Sequence, residues 1–332
     1  MAIRIHKSGM FTTAQDLGRT QFLSSGVPQS GAMDSYSARM ANLALNNDAD
    51  AATLEFTYGG AEIEITEDLL IAYSGDGAKW KLGKESLPTN RPIALKKGDH
   101  IKLAPTSSGS RTYLATASGW DVPEVMGSRS TYLSAKFGGL DGRLIASEDQ
   151  LKAKQPSDFQ KNMLKYLLSQ KRIYTNWCVT SGAHSASNPQ TIRVTRGPEA
   201  GWFCDDEWRK WLANPFTVDR QSNRMGYTLK GSTIKKNDTN QELLSSAVSF
   251  GTIQITGSGL PILLMADCQT TGGYPRIAQV ATVDLPICGQ MKPGDQLIFK
   301  EITLIEAEKL YLAQESDFVA VKRAVNLKYE WI

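Results

Sequence analysis

At 332 residues, with a net charge of +3, 41% hydrophobic and 21% charged residues, the chain is long enough for two domains with sizeable cores and too weakly charged to call for a nucleic-acid partner. It has no lysine–arginine run, no apolar run near the roughly 18 residues that span a bilayer, and no apolar segment in Met1 to Gly9, so neither a membrane span nor a secretory leader is expected. Its four cysteines, Cys178, Cys204, Cys268 and Cys288, are widely spaced and read as free thiols in a reducing cytoplasm rather than as a disulfide framework.

Taken in order, the chain opens with a short alternating strand, Ile3-Arg4-Ile5, followed by a long polar stretch from Thr12 to Asp34. Asp34 or Ser35 can cap a helix reaching about Asn46, with Tyr36, Met40 and Leu43 on one face. Strands are predicted at 54–56, 61–65, 69–73, 93–95, 101–103 and 112–117. Residues 120 to 143 read as loop and Lys152 to Pro156 as a linker. Ser157 can cap a helix that presents Phe159, Met163 and Tyr166 together. From Ile192 the chain is β-rich again, with a short helix at Asp205 to Leu212 and an amphipathic helix at Glu306 to Val325.

The two halves resemble each other. Ile3-Arg4-Ile5 matches Ile192-Arg193-Val194, Ile63-Glu64-Ile65 matches Ile253-Gln254-Ile255, Leu69 to Ala72 matches Leu263 to Ala266, and Gly98-Asp99-His100-Ile101 matches Gly294-Asp295-Gln296-Leu297, at a separation of about 190 residues. The expected fold is mainly β with a few helices. A β-barrel-like domain occupies 1–150, a helical linker 151–190 and a second barrel-like domain 191–332.

Two polar, glycine-bearing stretches carry the chemistry. One, D-C-Q-T-T-G-G-Y-P-R-I-A-Q from Asp267 to Gln279, follows an apolar strand at Pro261 to Ala266 that is expected to be buried on both faces. Asp267 and Gln269 are the candidate catalytic pair, a carboxylate and an amide able to act as base or to orient an amide-bearing substrate. Thr271, Gly272, Gly273 and Tyr274 can bind that substrate, the glycines by permitting close approach and Tyr274 by stacking or a phenolic hydrogen bond. The same stretch reads equally well as a polar turn between strands. Cys268 has no histidine near it in sequence and is taken as a packing residue.

The other stretch, Thr13 to Asp34, contains Gln15, Asp16 and Arg19. Asp16 and Arg19 can form a local ion pair that shapes the loop, or Arg19 can face a carboxylate ligand, which a guanidinium fork matches. Arg129 and Arg224 pose the same choice. Gly31 and Ala32 place backbone N–H groups near a helix N-terminus, where anions bind, and Asp34 reads first as its N-cap. There is no Walker phosphate loop, no nucleophile-elbow G-x-S-x-G and no H-E-x-x-H. The three histidines, His6, His100 and His184, are far apart in sequence, so they are expected to be structural or surface residues and no metal site is expected. No Met-Lys-Met motif is present, so the chain is not expected to carry biotin.

TAQDLGR, GVPQSGAMD, SNRMGY and DCQTTGGYP, in that order, resemble the family known as allophanate hydrolase subunit 2, or biotin-dependent carboxyltransferase. The resemblance runs from about Ile3 to Phe299, and within the family it is strongest to the C-type component of the ATP-dependent 5-oxoprolinase. It implies two cyclophilin-like β-barrels in tandem. It also implies a component, inactive alone, of a complex that opens a lactam to an amino acid. This chain would form part of the pocket for a small amide or carboxylate, while partner subunits A and B, the B type in direct contact, handle ATP. The chain itself would bind no cofactor. Other members imply two alternatives: a urea carboxylase-like carboxyltransferase served by biotin from another polypeptide, or a binding protein that antagonises a sporulation-kinase inhibitor.

Overall fold

Apolar side chains alternate with polar ones from Ile3 to His6 in Ile3–Ser8 (β1), so Ile3 and Ile5 turn inward at 1% and 0% exposure while Arg4 and His6 stay half-buried on the other face. This strand starts the first of two units in the computed structural model, which describes residues 1–170, 172–179, 188–238 and 241–331. The first unit comprises Met1–Gly18, Asp34–Ala183 and Ser316–Ile332, and the second Arg19–Met33 and His184–Glu315. Residues 180–187 of the expected linker, His184 among them, lie outside the described residues.

In the first unit β1 is followed by β2 (Phe11–Gln15), β3 (Thr53–Thr57), β4 (Ala61–Ile65), β5 (Leu69–Ser74), β6 (Ala78–Leu82), β7 (Glu85–Ser86), β8 (Ile93–Leu95), β9 (His100–Pro105), β10 (Arg111–Thr116) and β11 (Gln150–Leu151). They form a six-stranded sheet, β11-β1-β4-β9-β6-β7, and a five-stranded sheet, β2-β3-β10-β5-β8. Both sheets turn their apolar faces into one core that includes Ile5, Leu54, Phe56, Ile63, Tyr73, Trp80 and Leu114. The β1–β4 ladder skips a residue between Ile5 and Lys7, leaving His6 on a bulge.

The stretch from Thr12, expected as irregular chain, begins as β2. Its threonines pair with β3 from Phe11↔Thr57 to Gln15↔Thr53, a ladder that β-branched residues suit. Helix α1 (Ser35–Ala44) is capped by Asp34, whose carboxylate accepts from Ser37 N–H at 2.8 Å. Helix α2 (Asp158–Ser169) begins with a reciprocal capping box between Ser157 and Gln160. Its buried face differs from the expected one. Met163 is buried with Gln160 and Leu167, whereas Phe159 and Tyr166 are 51% and 46% exposed. The reason is Gln160, whose amide donates to Leu45 O and Asn47 Oδ1 and so turns the helix by about one residue.

The second unit holds β12 (Gln190–Arg196), β13 (Phe216–Val218), β14 (Gly226–Lys230), β15 (Ser246–Ala247), β16 (Thr252–Ile255), β17 (Pro261–Leu264), β18 (Thr271–Gly272), β19 (Arg276–Val280) and β20 (Gln296–Glu301). Seven of them close a barrel, β12-β19-β16-β17-β14-β13-β20, completed by the parallel pairing of β20 with β12. The remaining two, β15 and β18, pair as a separate ribbon. Helices α3 (Asp205–Ala213) and α4 (Leu285–Gln290) lie in this unit. The barrel core is aromatic, with Trp211 stacked on Phe299 at 4.4 Å and Met33 packed into the same cluster.

Helix α5 (Leu304–Glu330) ends the chain, and from Ser316 it belongs to the first unit, where Phe318, Val325 and Tyr329 are buried with Met40 and Leu43 of α1. Among the described residues no helix is long and apolar enough to cross a membrane. The strands matched between the halves differ in their neighbours. β1 pairs with β4 and β4 with β9, whereas their counterparts pair as β12 with β20 and β16 with β17.

Candidate functional site

In the second unit, β17 delivers the chain to Asp267, 5% exposed, and the following loop is held from three sides. Arg224 donates to the Asp267 carboxylate from Nε at 2.8 Å and from Nη2 at 3.2 Å, a two-point contact whose geometry the planar guanidinium fixes. Nη2 also donates to the Gly31 carbonyl at 2.6 Å, and Asp267 N–H donates back to Arg224 O at 2.8 Å. One guanidinium therefore ties three of the four motifs, GVPQSGAMD, SNRMGY and DCQTTGGYP. Gly31 sits at φ 92, in the left-handed region open to glycine. Around it Ser30, Ala32 and Met33 are all buried. Gly31 thus contributes a carbonyl to Arg224.

Beyond Asp267 the chain surfaces. Cys268 is buried against Val248 and Leu264, and burial, with the Asp267 charge beside it, pushes its thiol up to about 12. Gln269, Thr271, Gly273 and Tyr274 are exposed. Gly272 between them is crowded: a side chain there would come within 2.9 Å of Gln254 Nε2 and 3.2 Å of Gln269 Nε2. Two side-chain amides thus flank the glycine, and Gln254 Nε2 also donates to Tyr274 O at 3.0 Å. Tyr274 and Gly273 border a cleft of about 710 Å³ that is lined as well by Lys235, Lys236, Thr256 and Ser258. Gln241 and Glu242 line it too, so two cations, one carboxylate, hydroxyls and a phenol surround one concavity, which suits a small polar ligand.

In the first unit, Gln15 is fully buried and donates from Nε2 to Thr13 Oγ1 and Thr131 O. Asp16 accepts from Ser128 Oγ, Ser130 Oγ, Arg129 N–H and Gly18 N–H, so its carboxylate fastens the Ser128–Ser130 loop to the end of β2. The Arg129 guanidinium pairs with Glu124 at 2.7 Å. Arg19 belongs to the second unit, is 1% exposed, and its backbone N–H donates to Gln29 O at 2.8 Å.

The expected residues thus fall into distinct groups. Gly31, Arg224 and Asp267 share one buried tie. Gln269, Thr271, Gly273 and Tyr274 form the exposed continuation of that loop, with Gly272 half-buried between them. Gln15, Asp16 and Arg129 gather in the first unit. Lys235, Lys236 and Gln254 are additions that the sequence does not single out. Nothing around the adjacent lysines separates them from ordinary solvated charge, and Gln254 is only the polar member of an alternating strand.

The sequence matches the family model "Carboxyltransferase domain, subdomain A and B" over residues 25–301. It is 37% identical to the C component of 5-oxoprolinase from Escherichia coli (strain K12), covering 95% of this chain and 96% of that one, and 30% identical to the corresponding Haemophilus influenzae protein with the same coverage of both. It is also 32% identical to urea amidolyase of Lachancea kluyveri, of which it spans 18%. The crystal structure of the Kluyveromyces lactis urea amidolyase superimposes with a TM-score of 0.86 at 29% identity, over 96% of this chain and 20% of that one. With the family model covering most of its length and two end-to-end relatives at 30% identity or more, the chain belongs to the carboxyltransferase-domain family, subdomains A and B.

Proposed function

We propose that the chain is the C-type component of an ATP-dependent 5-oxoprolinase complex that opens the 5-oxoproline lactam to glutamate. The observation carrying this reading is the end-to-end likeness to the C component of the E. coli 5-oxoprolinase, 37% identical over 95% of one chain and 96% of the other. A lactam is a resonance-stabilised amide, so ring opening needs activation. The sequence has no phosphate loop, and ATP handling falls to subunits A and B, with the B type as direct neighbour. The chain is inactive without them.

Under this reading the cleft beside Tyr274 holds the substrate. Lys235 and Lys236 supply positive charge for its carboxylate, the Thr256, Ser258 and Tyr274 hydroxyls line the same cleft for its lactam group, and Gln269, exposed on the adjoining loop, offers an amide. Asp267 acts through Arg224 to position the loop rather than as a free base. The test is to purify the chain with its genomic neighbours and follow 5-oxoproline loss with ATP, with and without avidin. Turnover that needs every component and ignores avidin supports the proposal.

A second reading rests on the superposition with the K. lactis urea amidolyase: a carboxyltransferase that receives CO₂ from carboxybiotin on another polypeptide and passes it to an amide nitrogen in the same cleft. Avidin inhibition, or urea-dependent turnover without 5-oxoproline loss, selects this reading and rejects the first.

A further inference from the structure

We propose that His6, Glu64 and His100 form a binding site for a divalent transition-metal ion, zinc being the natural probe, on the outer face of the six-stranded sheet. His6 lies on β1, Glu64 on β4 and His100 on β9, three adjacent strands. Register places Glu64 directly opposite His100. The bulge that skips from Ile5 to Lys7 frees His6 from the regular ladder and brings it to the same carboxylate. His6 Nε2 is 3.0 Å from Glu64 Oε2, and the imidazoles stack with centroids 5.4 Å apart and planes inclined by 22°. One donor atom from each of the three residues lies within 4.8 Å of the others.

Two imidazoles and a carboxylate, with a fourth position left to water, are a ligand set that zinc takes up. Ligand bonds of about 2.0–2.2 Å put donors of a tetrahedral site roughly 3.4 Å apart, so the three side chains need to converge by about an ångström. They have room to do so: the His6 and Glu64 side chains are 34% and 30% exposed, and His100 is exposed. The surrounding charges are mixed. Glu148 Oε1 stands 3.9 Å from His6 Nδ1 but is held by Arg4 at 2.7 Å, and Glu62 is taken by Lys7 and Lys102. Glu64 is therefore the carboxylate nearest to hand for an ion, which would replace its hydrogen bond from His6. The inference is independent of the proposed lactam chemistry, since none of these residues lines the cleft.

The test is calorimetric titration of the full-length, chelator-stripped chain with zinc near pH 7.5, after alkylating exposed Cys178 and Cys204 to remove thiolate ligands. One ion per chain is expected, with His6→Ala and His100→Ala each weakening uptake by roughly tenfold or more. Zinc is expected to raise the melting temperature of the wild type and not of the His6→Ala/His100→Ala double variant. These residues are at the surface, so the variants should fold, which melting without metal verifies. Absence of zinc uptake by the wild type, or equal uptake by wild type and double variant, overturns the proposal and leaves an ordinary histidine–glutamate pair.

Discussion

At the scale of single residues, Arg224 and Gln269 belong to one loop system but predict opposite signatures. Arg224 and Asp267 are 7% and 5% exposed and satisfy each other. Removing one leaves a buried charge uncompensated, a loss of about 3–5 kcal/mol. Arg224→Met and Asp267→Asn should therefore lower urea-unfolding stability markedly. Gln269 is exposed, so Gln269→Ala should leave the melting temperature within a degree or so while cutting turnover of the complex by about tenfold. A folded Gln269→Ala complex with full turnover removes that residue from the site. The thiols make a third case. Burial pushes Cys268 up to about 12 and Cys288 upward as well, while Cys178 and Cys204 are exposed. Since thiolate is the reactive form, iodoacetamide at pH 8 should label Cys178 and Cys204 alone, as read by mass spectrometry of the folded protein.

At the scale of elements, Gly272 in β18 is flanked by two side-chain amides. A Cβ there meets Gln254 and Gln269 amides, the ends of flexible side chains, so Gly272→Ala should displace the amides more than the strand. The expected result is reduced turnover of the complex with a melting temperature close to wild type. Local rules made much of this level readable. Asp34 and Ser157 cap their helices as side-chain chemistry dictates, α3 begins at the expected Asp205, and the strand before Asp267 is buried as its unbroken apolar run implied. Partnership across the chain was not readable. Nothing in SNRMGY announces that Arg224 reaches both Gly31 and Asp267, because a guanidinium's partners are chosen by the fold. His6 and His100 stand too far apart in sequence to suggest a pair, and only the ladders through β4 join them. Helix α4, six residues long with Pro286 in its first turn, offers too little periodicity to be seen.

At the scale of the whole molecule, ion pairs set the acid limit of stability. The Arg143 side chain beside Asp149 and the Arg276 side chain beside Glu199 each hold a carboxyl below its ordinary range. A carboxylate whose folded pKa is depressed stabilises the fold above its unfolded pKa, about 4, and loses that contribution as pH falls through the folded value. Stability should therefore be flat above about pH 5 and decline below pH 4, and Arg276→Ala should flatten part of that decline in chemical denaturation between pH 6 and pH 3. Membership of the carboxyltransferase-domain family was legible because four short motifs kept their order along the chain. The allocation of segments to units was not, since it depends on which core each segment enters: Met33 joins the barrel core, although α1, starting two residues later, belongs to the first unit.

That allocation bears on how the protein is made. Phe318, Val325 and Tyr329 fill the first unit's helical cluster, yet they are translated only after the whole of the second unit. The unit whose synthesis starts first is thus the last to receive all its parts, and Arg19–Met33 must wait for a barrel not yet translated. A split between residues 183 and 184, which looks natural on a linear map, gives two fragments that each lack a piece carried by the other. Co-expression of the two halves should accordingly recover far more folded material than either half alone.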